Sequence, residues 1–239
     1  MQYVQQDGTK RLAKDSRKEG CFHVVGGQNA LESVPVLIVA EGYATAASLS
    51  ETVGHATVSA IDSGNLKAVA EALHAKYPEK PILIAGDDDR HLILTQGVNP
   101  GRSKAEEAAQ AVGGKAIFPI FTRDEKNYPA DLEPVTPQAY REHLRVTELL
   151  EKQPDLSEDA RDKLHRSQLS KEQLNALHHM KKFTDFNDLA AKSELGKDGL
   201  RRQVLGAMEV NRPSQRKEFR QTVQQRHVPQ KQAHRGARL

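Results

Sequence analysis

The sequence contains a single cysteine, Cys21. One thiol excludes a disulfide framework and a cysteine-built zinc site, and the scarcity fits a reducing, cytoplasmic setting. No stretch reaches the run of about 18 apolar residues that a membrane-crossing helix needs, so no membrane partner is expected. Residues 1–10 lack the charged and apolar regions of a secretory signal. Apolar residues make up only 37% of the 239, which is low for a chain that is globular throughout. A compact core with a polar remainder is the expectation.

The net charge of +3 conceals an asymmetry. Residues 211–239 hold 8 Lys/Arg and one Glu, net +7, against chain totals of 35 and 32, which leaves the preceding body at −4. A basic tail on a mildly acidic body suits contact with a phosphate polyanion. A solvated Gln/Arg-rich end is the competing account.

Four regions are expected along the chain. Residues 1–33 read as a small β segment, with Asp7-Gly8 as a tight turn and a short strand over Cys21–Val25. Residues 34–122 alternate apolar strands (Val34–Ala40, Ala56–Ile61, Pro81–Ala85, Ala116–Phe118) with helices at 45–52, 65–76 and 103–112. That alternation predicts a doubly wound, parallel, four-stranded α/β sheet covered by helices on both faces. Residues 123–210 read as a polar helical extension, with helices over 138–151, 157–182 and 189–210. Residues 211–239 read as a disordered basic tail.

Two of the strands end in carboxylates. The first runs into Glu41-Gly42-Tyr43 and the third into Gly86-Asp87-Asp88-Asp89-Arg90-His91. Ligands of open parallel sheets sit at the carboxyl ends of strands. In a 2-1-3-4 strand order the first and third strands are neighbours, about 4.8 Å apart, so Glu41 and Asp87 face one crevice. Asp87 and Asp89, two apart in extended chain, point the same way. Carboxylates about 5 Å apart repel by roughly 3 kcal/mol at an effective dielectric near 20. A divalent cation reverses that sign, and Mg²⁺ suits a few carboxylates plus water and phosphate. The plainer account is a charged loop with helix-capping acids. Asp62, at the end of the second strand, fits a helix cap better than a ligand.

The segment Glu41-Gly42-Tyr43-Ala44-Thr45, with Asp87-x-Asp89 on the third strand, resembles the Toprim domain shared by bacterial DNA primases, topoisomerases and some nucleases. The wider pattern is similar to Toprim domains of plasmid and phage primases and of conjugative relaxase or primase proteins. It includes Ala46, Asn65-Leu66, Asn99-Pro100-Gly101 with Lys104-Ala105, and Asp185-Phe186-Asn187-Asp188-Leu189, and spans roughly residues 5–205. The resemblance implies that Glu41 is an acid/base residue and that Asp87 and Asp89 bind Mg²⁺, for which Mn²⁺ can substitute. Thr45 departs from replicative primases, which carry a further Asp there. Asp88 or Asp62 is then the candidate for another ligand.

Three cationic residues are candidate phosphate or nucleic-acid contacts. Arg90 can fork onto a phosphate or neutralise Asp88. Arg102 and Lys104 open a helix whose free N–H groups form an anion site or an ordinary helix start. The glycine spacing of a Walker A loop is absent. His91 reads as a solvated loop residue, and the Asp185–Leu189 motif as a dock onto the sheet.

With this acidic cluster, the resemblance implies Mg²⁺-dependent nucleotidyl or phosphoryl transfer on nucleic acid, and its plasmid- and phage-primase side implies primer synthesis on single-stranded DNA in plasmid conjugation or phage replication. Nucleotides and a relaxase or replication protein are the expected partners. The alternatives are a non-catalytic DNA- or relaxase-binding module and a Toprim nuclease. A phosphotransfer receiver domain is disfavoured, because no fifth-strand lysine follows the fourth strand.

Overall fold

The computed structural model describes residues 2–5 and 10–210. The main sheet has five strands: β3 (His23–Val25), β4 (Leu37–Ala40), β5 (Thr57–Ser59), β6 (Ile82–Ala85) and β7 (Lys115–Ile117). Their order is β3-β5-β4-β6-β7. From β5 to β7 all pairs are parallel, in the expected 2-1-3-4 arrangement. The fifth strand comes from the region expected to stand apart as an N-terminal segment: β3 pairs antiparallel with β5. A separate two-stranded ladder joins β1 (Gln2–Val4) to β2 (Lys10–Leu12). The turn expected at Asp7-Gly8 and the whole 211–239 tail lie outside the described residues.

Central strands β4 and β6 are wholly apolar because both of their faces are covered. Successive side chains go to opposite layers. Leu37 and Val39 of β4 join Ile82 and Ile84 of β6 against α2 (Leu66–Lys76) and α4 (Pro100–Ala111), through Val69, Leu73, Ala105 and Ala108. Ile38 and Ala40 join Leu83 and Ala85 on the other face. There they meet α1 (Tyr43–Val53), α9 (Phe186–Ala191) and α10 (Gly196–Val210). Phe186, Leu189, Leu200 and Val204 are among the most buried side chains of that layer. The C-terminal helices, which look like an appendage in sequence, therefore complete the second face of the sheet. One apolar helix, α1, is too narrow to cover it.

Three helical boundaries differ from the sequence expectation. Arg90–Gln96 forms a helix, α3, where only a charged loop is legible in the sequence. After the short α5 (Arg123–Lys126) and α6 (Pro137–Lys152), the stretch expected as one helix over 157–182 divides into α7 (Glu158–His165) and α8 (Lys171–Met180). Ser170 caps α8, with Gln173 reaching back to the Ser170 N–H in a capping box. The stretch over 189–210 divides at Ser193–Leu195. There the Ser193 hydroxyl and the Glu194 N–H both donate to the buried Glu125 carboxylate, at 2.7 Å each. Burial raises the Glu125 pKa, but donors from Glu194, Ser193 and Thr122 outweigh it, and the carboxyl lies below its ordinary value.

Candidate active site

Ala40 and Ala85 are paired in register on adjacent parallel strands. Glu41 and Gly86-Asp87 therefore leave the sheet side by side. Gly86 is required at the second of these exits. A Cβ there would lie 2.4 Å from the Ala105 side chain and 2.7 Å from the Phe118 ring. Its absence lets α4 close onto the strand end.

The acidic loop is held from the α4 side. The Asn99 side-chain carbonyl accepts from the Asp89 N–H at 3.1 Å and from the Arg102 N–H at 3.2 Å. Its amide donates to Asp88 Oδ1 at 2.7 Å. One side chain thus caps α4 and fixes two residues of the loop. Gly101 sits so close that a Cβ would be 2.8 Å from the Asp87 carbonyl and 3.0 Å from Asp89 Oδ2. The start of α4 thus abuts the protein's own carboxylates.

From the opposite side comes the segment before α9. The Asp88 N–H donates to the Thr184 carbonyl at 2.8 Å. Asp185 caps α9 by accepting from the Asp188 N–H at 2.7 Å. Its other oxygen accepts from the Thr45 hydroxyl at 3.1 Å. Asn187 accepts from Ser48 of α1 at 2.9 Å. Asp188 accepts from the Thr184 N–H and hydroxyl and pairs with Lys192 at 2.6 Å. The motif is a dock, as its capping residues and inward Phe186 suggest. It also delivers Asp185 to the acidic cluster, which the sequence reading misses. The recurring acid within Asp-Phe-Asn-Asp is a signal, but nothing local aims it at Glu41.

Asp87 is the centre of this arrangement. Its Oδ1 is buried without a hydrogen-bond partner. Burial, then the charges of Glu41, Asp185, Asp89 and Asp188, push its pKa up to about 9. Asp185 is also raised, by burial and by Asp188, against the opposing hydrogen bonds of the Asp188 N–H and Thr45. A buried carboxylate oxygen with no donor, among four further carboxylates, has the wrong sign for every neighbour except a cation. The donor set consists of hard oxygens, which fits Mg²⁺ or Mn²⁺. Among the described residues, no three acidic, His or Cys side chains close to the spacing of one ion's ligands. Glu41, Asp87 and Asp89 are neighbours around the crevice and do not form a closed three-ligand group.

The remaining candidates separate. Arg102 pairs with Asp88 and Glu106, each at 3.4 Å, and lies 3.9 Å over the Phe118 ring. Arg90 starts α3 and donates to Asn127 at 3.4 Å. Lys104 is directed along α4 to Glu107, at 2.9 Å. Asp62 does not cap the following turn. It pairs instead with Lys18 at 2.9 Å, because residues ahead of β3 fold back over the end of β5. His91 is helical and half-buried, and burial lowers its pKa despite nearby Asp89.

Residues 36–133 match the family model of the Toprim domain. The chain carries a Toprim domain. Two curated relatives, both DNA primase TraC of Escherichia coli, are similar to it well beyond those limits. One is 58% identical over 244 residues, covering 100% of this chain and 23% of the relative. The other is 60% identical over 220 residues, covering 90% of this chain and 15% of the relative. The chain thus spans less than a quarter of the length of either. No solved structure matches. The Toprim match stops before α6, whereas α9 and α10 are needed to cover the same sheet.

Proposed function

We propose that this Toprim domain carries out Mg²⁺-dependent nucleotidyl transfer, as the catalytic part of a primase that works on single-stranded DNA during plasmid transfer or replication. The observation that carries the reading is the donorless, buried Asp87 Oδ1 beside Glu41, Asp89 and Asp185. Similarity to two DNA primases supports the reaction class.

Asp87 and Asp89 would hold the cation, with Asp185 beside them. A divalent ion there supplies charge neutralisation for nucleotide phosphates and for in-line displacement at phosphorus. Glu41 takes the proton from the attacking hydroxyl as the new oxygen–phosphorus bond forms and pyrophosphate leaves. Asn99 keeps the Asp88-Asp89 backbone in place for that geometry. Arg90 and Arg102 present positive charge beside the loop for phosphate, whereas Lys104 is directed away along α4. A relaxase or replication protein is the partner expected in such a system.

The test is an assay with Mg²⁺ or Mn²⁺, a single-stranded template and labelled nucleotides, run beside a cleavable single strand. Metal-dependent extension products are expected. Cleavage alone would assign the same acids to a nuclease. Binding without either product would leave a DNA- or relaxase-binding module.

A further inference from the structure

Strand β7 lies at the end of the main sheet and pairs only with β6. The Ile117 carbonyl turns inward and accepts from the Gly86 N–H at 3.0 Å. Backbone groups alternate in direction along a parallel strand, so Ala116 and Phe118 direct theirs outward, away from β6. Two residues further on, Ile120 meets a substitute for a neighbouring strand. The Gln203 side-chain amide of α10 accepts from the Ile120 N–H at 2.9 Å and donates to the Ile120 carbonyl at 2.8 Å. That is the two-way exchange one peptide unit offers another. Among the described residues, none does the same for Ala116 or Phe118.

A cavity of about 450 Å³ lies along this open edge. Its floor runs from Lys115 to Phe118. Gln203, Gly206 and Ala207 of α10 form one wall, and Arg102 of α4, 3.9 Å over the Phe118 ring, forms the other. The slot therefore has the cross-section of one further strand between two helix layers. Gly206 keeps the α10 wall open, since a Cβ there would meet nothing within 4 Å. Ile120, at one end, is 60% exposed. Lys115, at the other, is exposed and joins no ion pair among the described residues. No acidic side chain lines the slot. A short edge guarded by Lys115 and Pro119 can simply be solvated. That account leaves unexplained why two helices wall a largely apolar slot of this size, and why Gln203 pairs with the edge as a strand would.

We infer that the slot docks an extended acidic segment of another polypeptide, added to the sheet as a sixth strand beside β7. Its N–H and C=O groups pair with those of Ala116 and Phe118. Strand side chains repeat every two residues, and Ile117 faces the α10 layer, so Lys115 lies on the same side. The segment carries Asp or Glu opposite Lys115. Two residues along, it carries an apolar side chain that fills the space beside Gly206 and Ala207. The acid follows from charge: Lys115 is the slot's free cation, because Arg102 is already paired with Asp88 and Glu106. Docking there needs neither the metal nor the reaction proposed above.

The test selects short random peptides on the immobilised full chain and measures the recovered peptides by fluorescence anisotropy. Peptides with an acid and an apolar residue two apart are expected. Gly206→Trp projects into the slot, and Gly206→Ala controls for loss of the glycine. Gly206→Trp should weaken these peptides by about tenfold or more, while Gly206→Ala stays near wild type. Lys115→Glu should weaken them by about three- to tenfold, the scale of an exposed ion pair turned repulsive, and should favour peptides with Lys in place of the acid. Amide exchange followed by NMR should show the Ala116 and Phe118 N–H groups exchanging rapidly in the free chain and slowly with peptide bound. Recovery of no peptide, or equal affinity for wild type and Gly206→Trp, would overturn the proposal. So would Ala116 and Phe118 amides already protected in the free chain. Protection that rises with protein concentration, with a dimer in sedimentation, would give the slot to a second copy; concentration-independent protection would give it to residues 211–239.

Discussion

The Thr45 hydroxyl donates to the Asp185 carboxylate across 3.1 Å and 140 positions of sequence. Thr45 is in the first turn of the helix that follows Glu41, and Asp185 caps the helix that closes the other side of the crevice. The bond ties the carboxyl cluster to the C-terminal helices. Thr45→Val should cost about 1 kcal/mol. Asp185→Ala should cost more, about 1–2 kcal/mol, since it also removes a helix cap. Denaturant unfolding of both singles and the double should show a coupling near 0.5–1.5 kcal/mol. Strict additivity would mean that the bond is not made in solution.

Asp87 gives a pH dependence opposite in sign to that of an ordinary ion-paired aspartate. Its folded pKa, about 9, lies above the ordinary 3.8. It binds its proton more tightly when folded, so its contribution to stability is complete below pH about 4 and is lost as pH rises toward 9. Asp185, also raised, acts in the same direction. In EDTA, the Tm of wild type should fall between pH 5 and 8.5 relative to Asp87→Asn. The variant should be the more stable at pH 8.5 by on the order of 1 kcal/mol, about 2–4 °C. Mg²⁺ or Mn²⁺ should raise the wild-type Tm most at the high-pH end, and the Asp87→Asn Tm little. A pH-independent gap would mean that Asp87 is ionised at no cost.

Glu41→Gln keeps the shape of the side chain and removes its basicity. Product formation at saturating Mg²⁺ or Mn²⁺ should fall by about 10²–10⁴-fold, while oligonucleotide binding persists. A fully active Glu41→Gln protein would remove Glu41 from the mechanism.

Asn99→Ala withdraws three hydrogen bonds from the acidic loop at once. It leaves the Asp89 N–H without its acceptor and should destabilise the fold by about 1–3 kcal/mol. Its signature is a weaker Mg²⁺ affinity, read by calorimetry, at temperatures where the variant is fully folded. Unchanged metal affinity in a folded variant would show that Asn99 serves only to cap α4.

Truncation separates the tail from the C-terminal helices. Removing residues 211–239 takes away a charge of +7. It should reduce the salt slope of DNA binding and leave the melting cooperative. Removing residues 193–239 uncovers the sheet face packed by Leu200, Val204 and Met208 and should abolish the cooperative transition. A shorter chain that still melts cooperatively would show that α10 is dispensable to the core.

Much of this molecule is written locally. The all-apolar segments Leu37–Ala40 and Ile82–Ala85, short and alternating with helical spacing, read as central parallel strands, because a run with no polar face needs cover on both sides. Glu41 and Asp87 follow them directly, so the acidic ends of neighbouring strands are legible once the strand order is inferred. The extents of α1 and α2 follow closely from apolar spacing, whereas α4 begins at Pro100, three residues ahead of the expected 103, because Asn99 caps it and Pro100 fits its first turn. Arg90–Gln96 is less legible, since its helix begins within a charged stretch. The break within 157–182 is hidden because Ser167–Ser170 carries no glycine or proline; it depends on Ser170 and Gln173 capping each other.

By itself, the sequence determined the parallel sheet, the carboxylates at its strand ends and the polarity of the tail, because each depends on residues within one turn or strand of one another. Only the tertiary structure decided that His23–Val25 joins the main sheet and that α9 and α10 cover its second face. It alone carried Asp185 to Thr45 and Asp87, and turned Lys104 toward Glu107 while Arg102 came to lie over Phe118. These are contacts between segments far apart in the chain. They are chosen by which exposed apolar face remains to be buried and by which charges that burial brings together, and neither quantity exists until the sheet has formed.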